Sequence, residues 1–183
     1  MADLWVFGYG SLMWRPGFSF VESVPARLIG EHRALCVLSF VHRGTEEKPG
    51  LVLGLDKGGS CRGVAFRIAG EMRDEVLAYL RSRELVTNVY HEVKRPIRLI
   101  GREASSEPLV QAVTYVVDRS HRQYAGKLAP EQVLALVRDS AGVSGHNRDY
   151  VLASAEHLAS VGIRDRLMIW LAGELSGEAA RQA

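Results

Sequence analysis

"LWVFGYGSLMW", residues 4–14, is the stretch on which the fold reading turns. It places Gly8-Tyr9-Gly10 directly behind an apolar run, as the first strand and loop of a doubly wound nucleotide-binding sheet would. That fingerprint needs a third glycine, which lets the following helix pack close and aim its N-terminus at a pyrophosphate. Met13 occupies the position instead, and Trp14-Arg15-Pro16-Gly17 follows where the helix should start. A P-loop fails as well, because the chain has no G-K-[ST]. What remains is a strand that ends in a tight loop, with backbone N–H groups, the Ser11 hydroxyl and the Tyr9 ring suited to a carboxylate or carbonyl oxygen. The competing reading is an ordinary turn in which the glycines serve only to adopt positive φ.

The rest of the chain supports a fold without repeated βαβ winding. Apolar or alternating stretches begin at Leu4, Ala26, Leu51, Cys61, Val89 and Leu109 and read as strands. Turn signals at Pro16-Gly17, Pro49-Gly50 and Gly58-Gly59-Ser60 are too closely spaced for a helix after every strand. The pattern predicts an α+β fold with a small mixed or antiparallel sheet, curled toward a barrel. One helix interrupts the strands, from Glu71 to about Glu84, and helices beginning near Pro130, Asn147 and Arg166 close the chain. A single domain over residues 1–175 is expected, followed by a small, polar tail, 176–183, that frays.

Composition narrows the function classes. Of 183 residues, 47% are hydrophobic and 24% charged, which suits a soluble globular chain with a sizeable core. The net charge of +2 is spread over scattered Lys and Arg, so neither nucleic acid nor a membrane is an expected partner, and a small-molecule substrate remains. Cys36 and Cys61 cannot supply a disulfide framework, and no signal peptide or spanning segment is read; both point to the cytoplasm. The six histidines show no metal-ligand spacing, so no metal is expected, and Ser11 lacks the G-x-S-x-G elbow of a serine hydrolase.

The helix "EMRDEVLAYLRSRELV" carries the second candidate. At about 100° per residue, Met72, Val76, Leu77, Tyr79 and Leu80 fill one arc, and Glu84 falls inside it. An acid on a core-facing arc, near a helix C-terminus, is pushed toward a higher pKa by both burial and the macrodipole. Such a carboxylate suits general acid–base work. Against this stands a helix that ends a turn early, or a pairing of Arg81 or Arg83 with Glu84 at a solvated surface.

Four blocks in order, "FGYGSLMW", "RGTEEKPG", "YLRSRE" and "AGVSGHNRDYVLASAEHL", resemble the ChaC family of γ-glutamylcyclotransferases over nearly the whole chain, to about Ala159. The resemblance implies a γ-glutamyl cyclotransferase-like fold with surrounding helices, and cleavage of glutathione to 5-oxoproline and cysteinylglycine without a cofactor. It implies that Gly8, Tyr9, Gly10, Ser11, Leu12 and Met13 bind substrate, that Glu84 is catalytic, and that Arg43, Gly44 and Thr45 play a supporting part. The "RGTEEKPG" segment could be a plain turn or a substrate lid. Two departures stand out: Asn88 where a glycine is common, and Tyr124-Ala125-Gly126-Lys127 in place of Y-L-G-P. Asn tolerates left-handed backbone, so the first is structurally mild. Alternatives are a cyclotransferase acting on other γ-glutamyl peptides or amines, and a non-catalytic binding or regulatory module.

Overall fold

The computed structural model describes residues 2–101 and 108–182. Five strands form a closed barrel: β1 (Leu4–Gly8), β2 (Glu22–Ser39), β3 (Gly50–Ile68), β4 (Tyr90–Leu99) and β5 (Leu109–Val117), in the order β1-β3-β2-β4-β5. β1 runs antiparallel to β3 and parallel to β5, with Trp5 opposite Ala112, so the sheet is mixed as expected and goes on to close. Helix α1 spans Arg73–Glu84 after a 3-10 turn at Gly70–Met72. Later come α2 (Pro130–Arg138), a two-residue ribbon of β6 (Ala141–Gly142) and β7 (Gly145–His146), α3 (Asn147–Ser160) and α4 (Arg166–Gln182). Helix α4 thus takes in the backbone of the predicted tail up to Gln182, and Ala183 lies outside the described residues.

The turn predicted at Gly58-Gly59-Ser60 does not end a strand. Gly58 and Gly59 take φ of +101° and +71° inside the continuous β3. Glycine takes these conformations without steric cost, so the strand runs through them. The stretches at Leu51 and Cys61 are therefore one strand.

The chain divides into two compact units, Met1–Ala34 with Gly54–His121 and Leu35–Leu53 with Arg122–Ala183. In the first, β1 is apolar on both faces, and each face has its own task. Phe7 joins Ala26, Leu28, Leu55, Ala65, Ile97 and Ala112 in a cluster drawn from all five strands, the barrel interior. Leu4 and Val6 belong to a second cluster with Phe66, Ile68, Val113 and Tyr115, against which α1 buries Val76 and Leu80. The helix thus lies on the outside of the barrel, over β3, β1 and β5. Its C-terminal residue is Glu84.

In the second unit, Asn147 at the start of α3 is fully buried. Its amide accepts from Leu51 N–H at 2.6 Å and donates to Leu51 C=O at 2.9 Å, tying the helix to β3.

Candidate active site

The loop after β1 folds at once into a 3-10 turn, Ser11–Met13. Met13 and Arg15 N–H donate to the carbonyls of Gly10 and Ser11, at 2.9 and 2.8 Å. Neither Gly8 nor Gly10 has positive φ, so the ordinary-turn account of the glycines fails. At Gly8 the reason for glycine is close approach: a Cβ there would lie 3.1 Å from Leu12 Cβ, because the turn packs back onto the strand. Tyr9, Leu12 and Met13 are buried, the Tyr9 ring in the barrel-interior cluster, and Ser11 is the one residue of Gly8–Met13 that is not. The loop therefore presents a hydroxyl and backbone, while its larger side chains anchor it.

Two arginines brace the loop. Arg33 on β2 donates Nε–H to Tyr9 C=O at 2.6 Å, and its Nη2 reaches Arg62 C=O at 2.6 Å and Met13 Sδ at 3.6 Å. Arg83 on α1 donates Nη2–H to Ser11 Oγ at 2.9 Å, and Nη1–H to Arg15 C=O at 2.7 Å, Pro16 C=O at 3.3 Å and Tyr79 Oη at 3.1 Å. The chain at Arg15–Gly17 comes so near α1 that a Cβ on Gly17, whose φ is +74°, would lie 2.0 Å from Tyr79 Oη.

Glu84 completes the arrangement. Its Oε1 lies 3.2 Å from Arg83 Nε, so the pairing weighed in the sequence is present, but not at a solvated surface: the two side chains are 18% and 24% exposed. Burial pushes the Glu84 carboxyl above its ordinary range, and the Arg83 charge offsets this only in part. The phenol of Tyr115 is also pushed up, by burial first and then by the charges of Glu92 and Glu84, so it stays protonated. It donates to Glu92 Oε2 at 3.1 Å, and Glu92 is held from the other side by Arg81 at 2.7 and 2.8 Å. A partly buried carboxyl with a raised pKa and a hydroxyl-bearing loop are thus joined through one guanidinium.

The family model described as ChaC-like protein matches residues 4–175. The chain belongs to this family. It is 33% identical to the glutathione-specific γ-glutamylcyclotransferase of Escherichia coli over 162 residues, 88% of this chain and 68% of the relative. It is 34% identical to glutathione-specific γ-glutamylcyclotransferase 1 of Homo sapiens, over 87% of this chain and 71% of the relative. A solved yeast γ-glutamyl cyclotransferase specific to glutathione superposes with a TM-score of 0.84 at 21% identity, covering 97% of each chain, which shows the shared fold.

The remaining expected residues of this ChaC-like chain, Arg43, Gly44 and Thr45, lie in the second unit. They form a tied turn. Arg43 Nη1–H donates to His146 C=O at 3.2 Å, with its guanidinium 5.5 Å from the Tyr150 ring centroid. Thr45 N–H donates to Lys48 C=O, and Lys48 N–H to Thr45 Oγ1, both at 3.1 Å. A Cβ on Gly44 would meet Gly50 N at 2.1 Å, which leaves glycine as the residue that fits. The substitution after α1 is explained as well: Asn88 takes φ of +57°, the left-handed backbone a glycine would supply.

Arg33 and Tyr115 carry no signal in the sequence pattern, where Arg83 stands out only as a charge that could pair with Glu84. No described helix is long and apolar enough to cross a membrane.

Proposed function

We propose that this chain is a γ-glutamylcyclotransferase that cleaves glutathione in the cytoplasm, with residues 1–175 as its catalytic domain and Glu84 as its proton carrier. Relatives from Escherichia coli and Homo sapiens are named glutathione-specific γ-glutamylcyclotransferases, and the chemistry accounts for the residues present. The α-amine of a γ-glutamyl amide attacks its own γ-carbonyl carbon, forming a C–N bond and a five-membered tetrahedral intermediate. The bond from that carbon to the cysteinyl nitrogen then breaks, leaving 5-oxoproline and cysteinylglycine. The nucleophile belongs to the substrate, so no step calls for an activated serine or a cofactor.

Protons need management. The α-ammonium, with an ordinary pKa of about 8, must lose one before attack. The attacking nitrogen loses a second as its bond forms, and the departing nitrogen must gain one. Glu84 accepts one proton from the first nitrogen and returns it to the second, and the other proton lost by the attacking nitrogen passes to solvent. A carboxylate with a raised pKa is matched to both directions. The Gly8–Met13 loop binds the γ-glutamyl group, with Ser11 Oγ and backbone N–H groups near the developing oxyanion, where a donor is worth about 3–4 kcal/mol in other enzymes. Holding the bent conformer supplies much of the rest, since favourable intramolecular geometry can contribute about 7–11 kcal/mol. Arg43, Gly44 and Thr45 act in support by fixing their own turn.

The observation that carries the reading is the half-buried Glu84 carboxyl joined to Ser11 through Arg83. The test is 5-oxoproline release from glutathione by the wild type and by Glu84→Gln. We expect folded Glu84→Gln protein to lose about 10²–10⁴-fold in turnover. Turnover within a few fold of the wild type would remove Glu84 from the mechanism, and equal rates on γ-glutamyl-alanine would broaden the substrate class.

A further inference from the structure

Arg83 reaches on three sides: to Glu84, to Ser11, and to the carbonyls of Arg15 and Pro16 together with Tyr79 Oη. From these contacts we infer that Arg83 is a positioning residue that sets opposite hydrogen-bond polarities on the two groups meeting the γ-glutamyl group. Ser11 is made a donor and Glu84 an acceptor. The inference rests on the roles given above to Ser11 and Glu84.

Ser11 has one O–H hydrogen and two acceptor lone pairs, and Arg83 Nη2–H occupies an acceptor site at 2.9 Å. The hydrogen is then left to point away from the guanidinium, and a charged donor on its oxygen makes the hydroxyl a stronger donor in turn. At Glu84 the Nε–H contact holds one carboxylate oxygen, and the carboxylate keeps capacity to accept elsewhere. A γ-glutamyl group bent to cyclise presents the complement: a γ-carbonyl oxygen that accepts and an α-ammonium that donates. A ligand lacking either group would satisfy one arm only.

The third side makes the hub a built feature. Arg15 and Pro16 carbonyls and Tyr79 Oη hold Nη1, and Gly17 permits the approach that brings them there. The guanidinium plane is therefore fixed before substrate arrives. Lysine would keep the charge and lose the fork, because an ammonium acts as a point charge and cannot address several acceptors in one plane.

Glu84 is faced by Arg83 from its own helix and by Tyr115 from β5, whose hydroxyl bonds Glu92 on β4, itself paired with Arg81. With Tyr115 protonated and Glu92 neutralised by Arg81, the positive charge that bears most directly on Glu84 is that of Arg83. Separating charge from fork gives the test. The Glu84 carboxyl is titrated by carbon NMR in unliganded wild type, Arg83→Gln and Arg83→Lys, and kcat/KM for glutathione is measured for the same proteins, for Ser11→Ala, and for the Arg83→Lys/Ser11→Ala double variant. Arg83→Gln should raise the carboxyl midpoint by about 1 pH unit and carry the acid limb of kcat/KM with it. Arg83→Lys should leave the midpoint near the wild-type value yet lose about tenfold or more in kcat/KM, with little further loss when Ser11→Ala is added. An unmoved midpoint in Arg83→Gln, or independent effects of Arg83→Lys and Ser11→Ala, overturns the inference. If Arg83→Gln does not fold, the lysine arm decides. The titration needs no turnover, so an inactive wild type would refute the proposed reaction and leave the Arg83–Glu84 link to be judged separately.

Discussion

Two polar clusters in this molecule are built from similar parts to opposite ends. In the second unit, Asn147 is fully buried, and its amide is committed on both sides: Oδ1 accepts from Leu51 N–H and from Ser140 Oγ at 3.3 Å, and Nδ2 donates to Leu51 C=O. In the first unit, Glu84 is held by one contact to Arg83, keeps 18% of its side chain exposed, and carries a charge that its surroundings disfavour. A closed set of neutral hydrogen bonds holds backbone in place and offers nothing to a ligand. An underused charge at a partly open position costs stability and retains the capacity to do chemistry. Both residues lie at helix ends, so position within an element does not separate them; saturation of their bonding does.

The largest stability effect should come from breaking the closed cluster. Asn147→Ala removes the partners of Leu51 N–H and C=O and leaves both buried without replacement. At about 1–3 kcal/mol for each of the two orphaned groups, the loss should be about 2–6 kcal/mol, read from the midpoint of urea unfolding. A loss below about 1 kcal/mol would mean that the Leu51 backbone finds other partners and that the cluster is not the anchor described here. Residual activity per folded molecule should stay near wild type, in contrast to Glu84→Gln.

This difference also explains what could be read from the sequence. The boundaries of β1 and β5 follow from short apolar runs, and the arc of Val76 and Leu80 locates Glu84 on the inward side of α1, because periodicity reports which side of an element is buried. Periodicity carries nothing about a guanidinium that reaches across the fold. Arg83 meets Ser11 across 72 residues of sequence, and Arg33 meets Tyr9 across 24. Those contacts depend on the closure of the barrel and on long side chains that obey no spacing rule. The same limit hid β3, where Gly58 and Gly59 look like punctuation but lie inside one continuous strand, and it hid Asn147, whose partner Leu51 is 96 residues away. The sequence marks Tyr9 as part of an expected ligand loop, and its ring is buried, since the alternation of β1 continues one residue past the strand and carries Tyr9 to the interior with Phe7.

A smaller effect is expected at Asn88, four residues beyond Glu84 and likewise placed by backbone need. At φ of +57°, alanine there should cost about 1–2 kcal/mol, the left-handed penalty of an ordinary residue, while glycine should stay within about 0.5 kcal/mol of wild type. Equal stability of the alanine and glycine variants would show that the chain after α1 relaxes to another conformation. The outcome sharpens the comparison, because it separates a backbone requirement next to the site from the chemistry of the site itself.

The smallest change in stability, and the one most specific to the contrast, concerns Glu84→Gln. A carboxyl whose folded pKa lies above its ordinary 4.5 binds its proton more tightly in the native state than in the unfolded chain. Stability therefore falls as pH rises from about 4.5 through the folded value, and the deficit is complete above it. Glutamine carries no such charge, so Glu84→Gln should melt higher than wild type at pH 7, with the gap closing as pH drops below the unfolded pKa. Asn147→Ala, which removes neutral bonds, should show a deficit that does not depend on Glu84 ionisation and persists over the same pH range. If the Glu84→Gln difference stays constant with pH, or reverses sign at neutrality, the carboxylate is not held against its preference, and its availability for proton transfer loses its physical basis.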